Sequence, residues 1–536
     1  MTIRNLMMTT VLSSAALCLV ACSADADGAA GSGFDGGGAE DGGGGEVGGD
    51  DGPVGDDGGP SPIPPGVGQG GAQDFGQFRA ILEAGQIPGP DTLDDVGFFN
   101  EHKIELPGAT CGSDVCVHGA LGQMGNLLTG ADCMMVMVGM NTPIDPAELE
   151  RPALNLAIAV DTSGSMQGEP IERVREGLFR MVDVLQPEDR VTLVTFNDAA
   201  VLQAEFSGGD SAAIEVAIAG LTAEGQTNIY DGLWSAYEAV EAGEDPGLQN
   251  RVILLSDGEA NTGITNDDKI VNLATALSGQ GIGLSTIGLG EDFDPLLMRR
   301  LSEVGGGTFY FLEDPAAVEE VFEEEVSALL MPLATQVEIG LDVFPGWEVR
   351  GLYGTKLAEV GPARTSIEIP SLHIAHRETV DDVEHGRRGG GGVILAEVMR
   401  EPGAPLPEGN AIGSLTMDYV VPGTEETVSQ TVDITSPDPE ARGYFSTTGA
   451  EKSFVMLNLY VGFRIAAERA TVGDDTTALA TLQGLHFGVR GWLDENDDFD
   501  IEDDLRYVDL FIDNLRARGA AEPPPQQNPP EPWPQD

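Results

Sequence analysis

The sequence predicts an α/β protein: a doubly wound parallel sheet at the centre, flanked by or inserted into a β-sandwich and followed by a C-terminal helical segment. Three observations carry this. Between residues 153 and 331 short continuous apolar runs alternate with amphipathic stretches, as buried parallel strands alternate with covering helices. After Pro332 the pattern changes to strands separated by turn residues, which suits an antiparallel sandwich. From Lys452 to Arg518 apolar residues recur at helical spacing. The chain has 536 residues, and about 150 residues per domain gives roughly three units.

The N-terminus is read first. Leu6 to Val20 is an apolar run of about 15 residues, too short to span a bilayer and suited to an export signal. It ends in Leu19-Val20-Ala21-Cys22, which resembles the bacterial lipobox. That resemblance implies a signal peptide over 1–21, cleavage before Cys22, and a lipid on Cys22 that anchors the chain to a bilayer. Ser23 rather than Asp after the cysteine implies the outer membrane or cell surface. Residues 22–73 are mostly Gly, Asp, Ala and Pro, with no basic residue between Arg4 and Arg79. Such a segment cannot offset its ordering entropy and reads as a disordered tether.

Residues 74–150 read as a flanking segment with a short helix around Phe78–Ala84, then loops, then an apolar strand from Cys133 to Met140. Residues 151–331 form the α/β unit. Its strands are expected at Leu154–Val160, Arg190–Phe196, Arg251–Leu255, Gly283–Leu289 and Thr308–Leu312. Its helices are expected at Glu169–Leu185, Ser211–Leu221, Tyr230–Ala242, Asp267–Ser278, Pro295–Val304 and Ala316–Leu330. Residues 332–450 hold the sandwich strands, 451–518 the helices and 519–536 a disordered Pro-rich tail. His486 lies on the stripe formed by Leu479, Leu482, Val489 and Leu493 and reads as a core histidine. Cys18 leaves with the signal and Cys22 takes the lipid. One disulfide is then expected among Cys111, Cys116 and Cys133 in an oxidising compartment, with the pairing open.

The formal net charge of −62 excludes nucleic acid as a partner, because phosphate binding needs a dense cationic footprint. The surface instead attracts divalent cations and basic groups.

Three fragments carry candidate chemistry. Asp161-Thr162-Ser163-Gly164-Ser165 follows the first strand of the α/β unit, at the carboxyl end where open parallel sheets place ligands. Gly225-Gln226-Thr227-Asn228 precedes a helix, and Ser256-Asp257-Gly258 ends the next central strand. Hydroxyl and carboxylate oxygens are hard donors that suit Mg2+, Mn2+ or Ca2+. Together the fragments resemble the von Willebrand factor type A (VWA) domain and its metal-ion-dependent adhesion site. The resemblance covers residues of about 150–330 and implies the metal positions Asp161, Ser163, Ser165, Thr227 and Asp257, with Mg2+ as the first choice. It also implies an open coordination position that an acidic side chain of a protein partner fills. The stretches Phe75–Pro88 and Phe454–Leu515 resemble the segments flanking this domain in a group of bacterial lipoproteins. That implies flanking strands from both sides of one sandwich, with the α/β unit inserted.

No catalytic set is found. Ser163 interrupts the Asp-Thr-Gly of an aspartic protease, and neither G-x-S-x-G nor a Walker loop occurs. Asp494-x-Asn496-x-Asp498 lacks the Gly and the bidentate acid of a calcium loop and reads as an acidic helix start. The expected function is a membrane-anchored binding protein for metal-dependent protein capture, with envelope assembly through the same site as the alternative.

Overall fold

The computed structural model describes residues 65–72, 75–145, 152–243, 248–289, 294–312, 332–375, 392–401, 404, 410–438 and 442–524. The expectations for the signal, for Cys22, for most of the tether and for a helix over 316–330 lie outside these residues.

Elements before the α/β unit are β1 (Gly66–Gly68), β2 (Gly71–Ala72), α1 (Gly76–Glu83), α2 (Asp95–Asn100), β3 (Cys116–Gly125) and β4 (Asp132–Asn141). The α/β unit contains β5 (Leu154–Asp161), α3 (Glu169–Val184), β6 (Arg190–Phe196), β7 (Ala200–Ser207), α4 (Ser211–Ala219), α5 (Ile229–Ala242), β8 (Gln249–Ser256), α6 (Asp267–Ser278), β9 (Gly283–Leu289), α7 (Pro295–Val304) and β10 (Gly306–Leu312). After it come β11 (Pro332–Val343), β12 (Trp347–Tyr353), β13 (Ala358–Val360), β14 (Arg364–Ala375), β15 (Ile394–Arg400), β16 (Ala411–Val420), β17 (Thr427–Thr435) and β18 (Tyr444–Phe445). Three helices close the chain: α8 (Thr448–Thr471), α9 (Asp475–Leu493) and α10 (Phe499–Arg518).

The α/β sheet runs β2-β10-β9-β8-β5-β6-β7. All its pairs are parallel except β6–β7. β5 is buried along its whole length, as a central strand covered on both faces must be. Separate apolar clusters fill the two faces, one under α3 and α4, the other under α5, α6 and α7. The edge strand β7 was not anticipated. Its outward residues include exposed Val201 and Leu202, so it lacks the polar–apolar alternation that marks a half-buried strand.

The second sheet has eleven strands, ordered β12-β15-β4-β1-β14-β11-β16-β17, with β3 on β4, β18 on β3 and β13 on β14. Strands from both sides of the α/β unit therefore share one sheet, and that unit is inserted into it. The sheet rolls onto itself. Gln430 on β17 accepts from the Val117 amide of β3 (3.2 Å) and donates to the Val115 carbonyl (2.6 Å). One core fills the roll. The opposite face of β4 and β15 packs on the helices through Met135, Met137 and Leu395. α8 is buried nearly all round, which marks a core helix rather than a surface one.

Four expectations are corrected. The tether does not extend to residue 73, because Gly66–Gly68 pairs with β14 and β4 while Gly71–Ala72 pairs with β10. The stretch read as loops before Cys133 contains α2 and β3; three glycines in β3 hide its alternation. His486 is not a core residue: its side chain is 38% exposed and its Nδ1 lies 2.8 Å from Asp509. The C-terminal tail is ordered at its start, where Glu522 meets Arg516 at 2.8 Å and Gln483 at 3.0 Å. The disulfide joins Cys111 and Cys116, whose Cα atoms are 5.6 Å apart, and Cys133 is buried on β4. Asp498 caps α10 by accepting from the Ile501 amide, as the acidic helix start required.

Candidate metal centre

The site lies at the carboxyl ends of β5 and β8, in three loops: residues 161–168 after β5, 224–228 before α5, and 257–262 after β8. Backbone bonds fix their relation. The Glu224 amide donates to the Thr162 carbonyl (2.7 Å) and the Gly164 amide to the Gly225 carbonyl (3.0 Å). Gly225 has φ +88°, a left-handed conformation that glycine adopts without strain. The amides of Asn261 and Thr262 donate to the Thr227 carbonyl.

All five sequence-predicted residues meet there. Asp161 is completely buried; its Oδ1 accepts from the Ser163 amide (2.8 Å) and its Oδ2 from the Ser256 hydroxyl (2.6 Å). The Ser163 and Ser165 hydroxyls are 3.0 Å apart, and Ser165 donates to Asp257 Oδ1 at 2.8 Å. Thr227 comes within reach of the same group. A Cβ on Gly258 would lie 3.3 Å from the Thr227 hydroxyl and 3.6 Å from that of Ser165. Asp161, Ser163, Thr227 and Asp257 are buried and Ser165 is exposed, so the cluster opens to solvent on the Ser165 side.

The three hydroxyls are not helix caps. α3 starts after Gly168, and α5 is capped by Asn228, whose side chain accepts from the Asp231 amide. Ser163 precedes a short 3-10 turn (Gly164–Met166) but its side chain makes no cap bond there, so all three hydroxyls are left for the site.

Burial pushes the Asp161 carboxyl above its ordinary range, and the Ser256 and Ser163 hydrogen bonds only partly offset this. The groups acting on it are hydroxyl and amide donors, with no guanidinium or ammonium among them. A buried carboxylate without a cation partner is costly. The donor chemistry thus fits a hard divalent ion held by Asp161, Ser163, Ser165, Thr227 and Asp257. Among the described residues no group of three or more His, Cys, Asp and Glu side chains forms a metal cage.

Two positioning residues were not read from the sequence. Ser256 orients Asp161, and Asn261 accepts from the Thr227 amide at 2.8 Å. Strand register held the signal for Ser256: Val160 pairs with Leu255, so the next residues, Asp161 and Ser256, come side by side. Asn261 lies in a loop where no periodicity applies.

The α/β unit that carries this site has relatives among known proteins. Residues 155–324 match the family model for the von Willebrand factor type A domain. An Escherichia coli protein described as "Uncharacterized protein YfbK" is 32% identical over 201 residues, 37% of this chain and 35% of that protein. The Synechocystis "Uncharacterized protein sll0103" is 25% identical over 336 residues, 62% of this chain and 77% of that one. The chain thus spans only about a third of YfbK. Among solved structures, a von Willebrand factor type A protein from Catenulispora acidiphila aligns over 75% of this chain and 89% of its own, with TM-score 0.49 and 18% identity. The matched family model, the parallel sheet and the three converging loops lead to one conclusion: the inserted α/β unit of this chain is a von Willebrand factor type A domain.

Proposed function

We propose that the chain is an exported, lipid-tethered binding protein, not an enzyme, whose VWA domain holds one divalent cation and uses it to capture an acidic side chain of a protein partner. Mg2+ is the first choice of ion, with Mn2+ and Ca2+ the other hard ions the donor set admits. The observation that carries the reading is the meeting of the Ser163, Ser165 and Thr227 hydroxyls with the Asp161 and Asp257 carboxylates, where Asp161 is buried and no basic group among the described residues acts on it.

The bound ion would supply a Lewis-acidic anchor for a carboxylate oxygen. The chain's own residues do the rest. Ser256 and the Ser163 amide hold the Asp161 carboxylate in one orientation. Asn261 fixes the Thr227 backbone, and Asn228 caps α5 so that the Thr227 hydroxyl is left for the site. Ser165 stands at the solvent side. The three loops carry Glu224 and Glu259 and no Lys or Arg, so without the cation they repel an acidic partner. Capture is therefore metal-dependent by charge alone.

The test is a pull-down from envelope extract on the folded body, in Mg2+ and in EDTA, with wild type and Asp161→Ala. Partner retained only by wild type in Mg2+ supports the reading; equal retention in all four arms refutes it. Labelling of intact cells with an impermeant reagent decides between a surface address and a periplasmic one.

A further inference from the structure

A second polar site lies at the opposite end of the same strands. A cleft of about 600 Å3 opens between the VWA domain and the rolled sheet, lined by Arg251, Ser278 and Gly305 on one side and by Glu338, Glu368 and Ser371 on the other. Arg251 sits near the start of β8, five residues before Ser256 and thus about 17 Å from the metal-centre end.

The cleft has a cationic floor. Arg251 is 3% exposed, with Nη1 donating to the Gly306 carbonyl at 3.0 Å and Nη2 3.3 Å from His373 Nε2. A Cβ at Gly283 would lie 2.5 Å from Nη1, so the guanidinium needs glycine there. The Ser371 hydroxyl stands beside it, 2.8 Å from His373 Nε2 and 3.2 Å from the Gly306 carbonyl.

The mouth is anionic. Glu338 and Glu368 are direct cross-strand partners on β11 and β14, and both are exposed. Like charges directly opposite destabilise a strand pair unless a cation stands between them. Arg364 reaches Glu338 only at 3.9 Å and is engaged by Asp342 at 2.9 Å. Beside Glu338 the register of β11 shifts between Thr335 and Glu338, and Gln336 has φ +51°. A non-glycine residue in the left-handed region is backbone strain of the kind that gathers at binding sites, and Gln336 lines this cleft.

We propose that the cleft binds a small zwitterion of amino-acid type, its carboxylate on Arg251 and Ser371 and its ammonium between Glu338 and Glu368. A plain anion leaves the glutamate pair unrelieved, and a plain cation makes no use of the guanidinium. The volume suits such a ligand, since small-molecule sites run about 300–1,000 Å3 and favour domain interfaces. A free amino acid and a short peptide share this chemistry.

Calorimetric titration of the intact protein with L-alanine, L-alanyl-L-alanine, acetate and ethylammonium tests it. Saturable binding of either zwitterion, at least about ten-fold tighter than the single ions, is the expected result. Binding of the dipeptide alone identifies a peptide ligand, and binding of alanine alone a free amino acid. The Glu338→Gln/Glu368→Gln double variant, at exposed positions, keeps the fold and weakens binding at least about ten-fold; Ser371→Ala weakens it too. Asp161→Ala leaves it unchanged, which separates this site from the metal centre. No saturable heat up to about 10 mM, or equal affinity in the double variant, overturns the proposal.

Discussion

At the residue scale the burial of Asp161 decides the behaviour of the candidate metal centre. Its carboxylate is fully enclosed and held by one hydroxyl and one amide, so in the metal-free protein removing it relieves a buried charge while it loses two hydrogen bonds, and the two effects largely offset. Asp161→Ala and Thr227→Ala should abolish divalent-ion uptake while the stability of the metal-free protein, read by thermal melts in EDTA, changes by less than about 1 kcal/mol. Ser256→Ala should weaken ion affinity by about 10- to 100-fold, the usual effect of removing a group that orients a ligand, and a titration reads it directly. The five candidate ligand positions were legible because they fall in three short fragments, two at the ends of β5 and β8 and one just before α5. Ser256 and Asn261 were not, because their contribution depends on register and loop path.

At the element scale the approach of α7 to Asp94, the N-cap of α2, gives a pH signature. Glu303 on α7 is 7% exposed. Burial and the nearby Asp94 carboxylate push its carboxyl well above the ordinary 4.5, and Arg299 and Arg300 offset this only in part. Burial would also raise Asp94, but Lys356, Arg299 and the Gly97 and Val96 amides hold it below the usual range. For Glu303 the folded state keeps its proton longer than the unfolded state. Stability is therefore lost as pH rises past 4.5, by about 1.4 kcal/mol per unit until the folded-state pKa is reached. Glu303→Gln should flatten that part of the stability curve and raise the denaturation midpoint at pH 8 relative to wild type, as urea titrations across pH will register.

Helix packing offers a second check at this scale. A Cβ at Gly462 on α8 would lie 2.6 Å from the Leu485 side chain of α9. Gly462→Val should therefore cost about 1–3 kcal/mol through overpacking, measured by chemical denaturation. The central strands and most helices were legible since continuous apolar runs and amphipathic stretches leave no rival assignment. β3 and β7 were hidden, one by its glycines and the other by outward apolar residues at an open edge. The helical stripe that includes His486 was legible, but the exposure of that ring depends on how α10 crosses α9.

At the scale of the whole molecule the segment from Pro65 to Ala72 is a strap. Within eight residues it joins both sheets: Val67 faces Ile374 of β14, and Ala72 lies beside Phe309 of β10. Asn100 Nδ2 donates to the Ala72 carbonyl at 2.7 Å, and Gln69 donates to the Gly354 carbonyl. The inserted VWA domain is thus tied to its host at a third place besides the two chain crossings. Val67→Asp puts a charge into a fully buried position and should destabilise the rolled sheet by several kcal/mol. Scanning calorimetry should show one cooperative transition for wild type and a separate, earlier transition for this variant. That insertion was legible from the two flanks; the strap was not, because a run of glycines resembles a linker until the strands that receive it are known.

The central claim is that five oxygen-bearing side chains from three loops form one hard-cation site. Isothermal titration of Mg2+, and then of Mn2+ and Ca2+, into EDTA-stripped protein tests it most directly. The account predicts uptake of one ion per chain that disappears in Asp161→Ala and Thr227→Ala. Absence of uptake in wild type, or the same uptake in both variants, would contradict it.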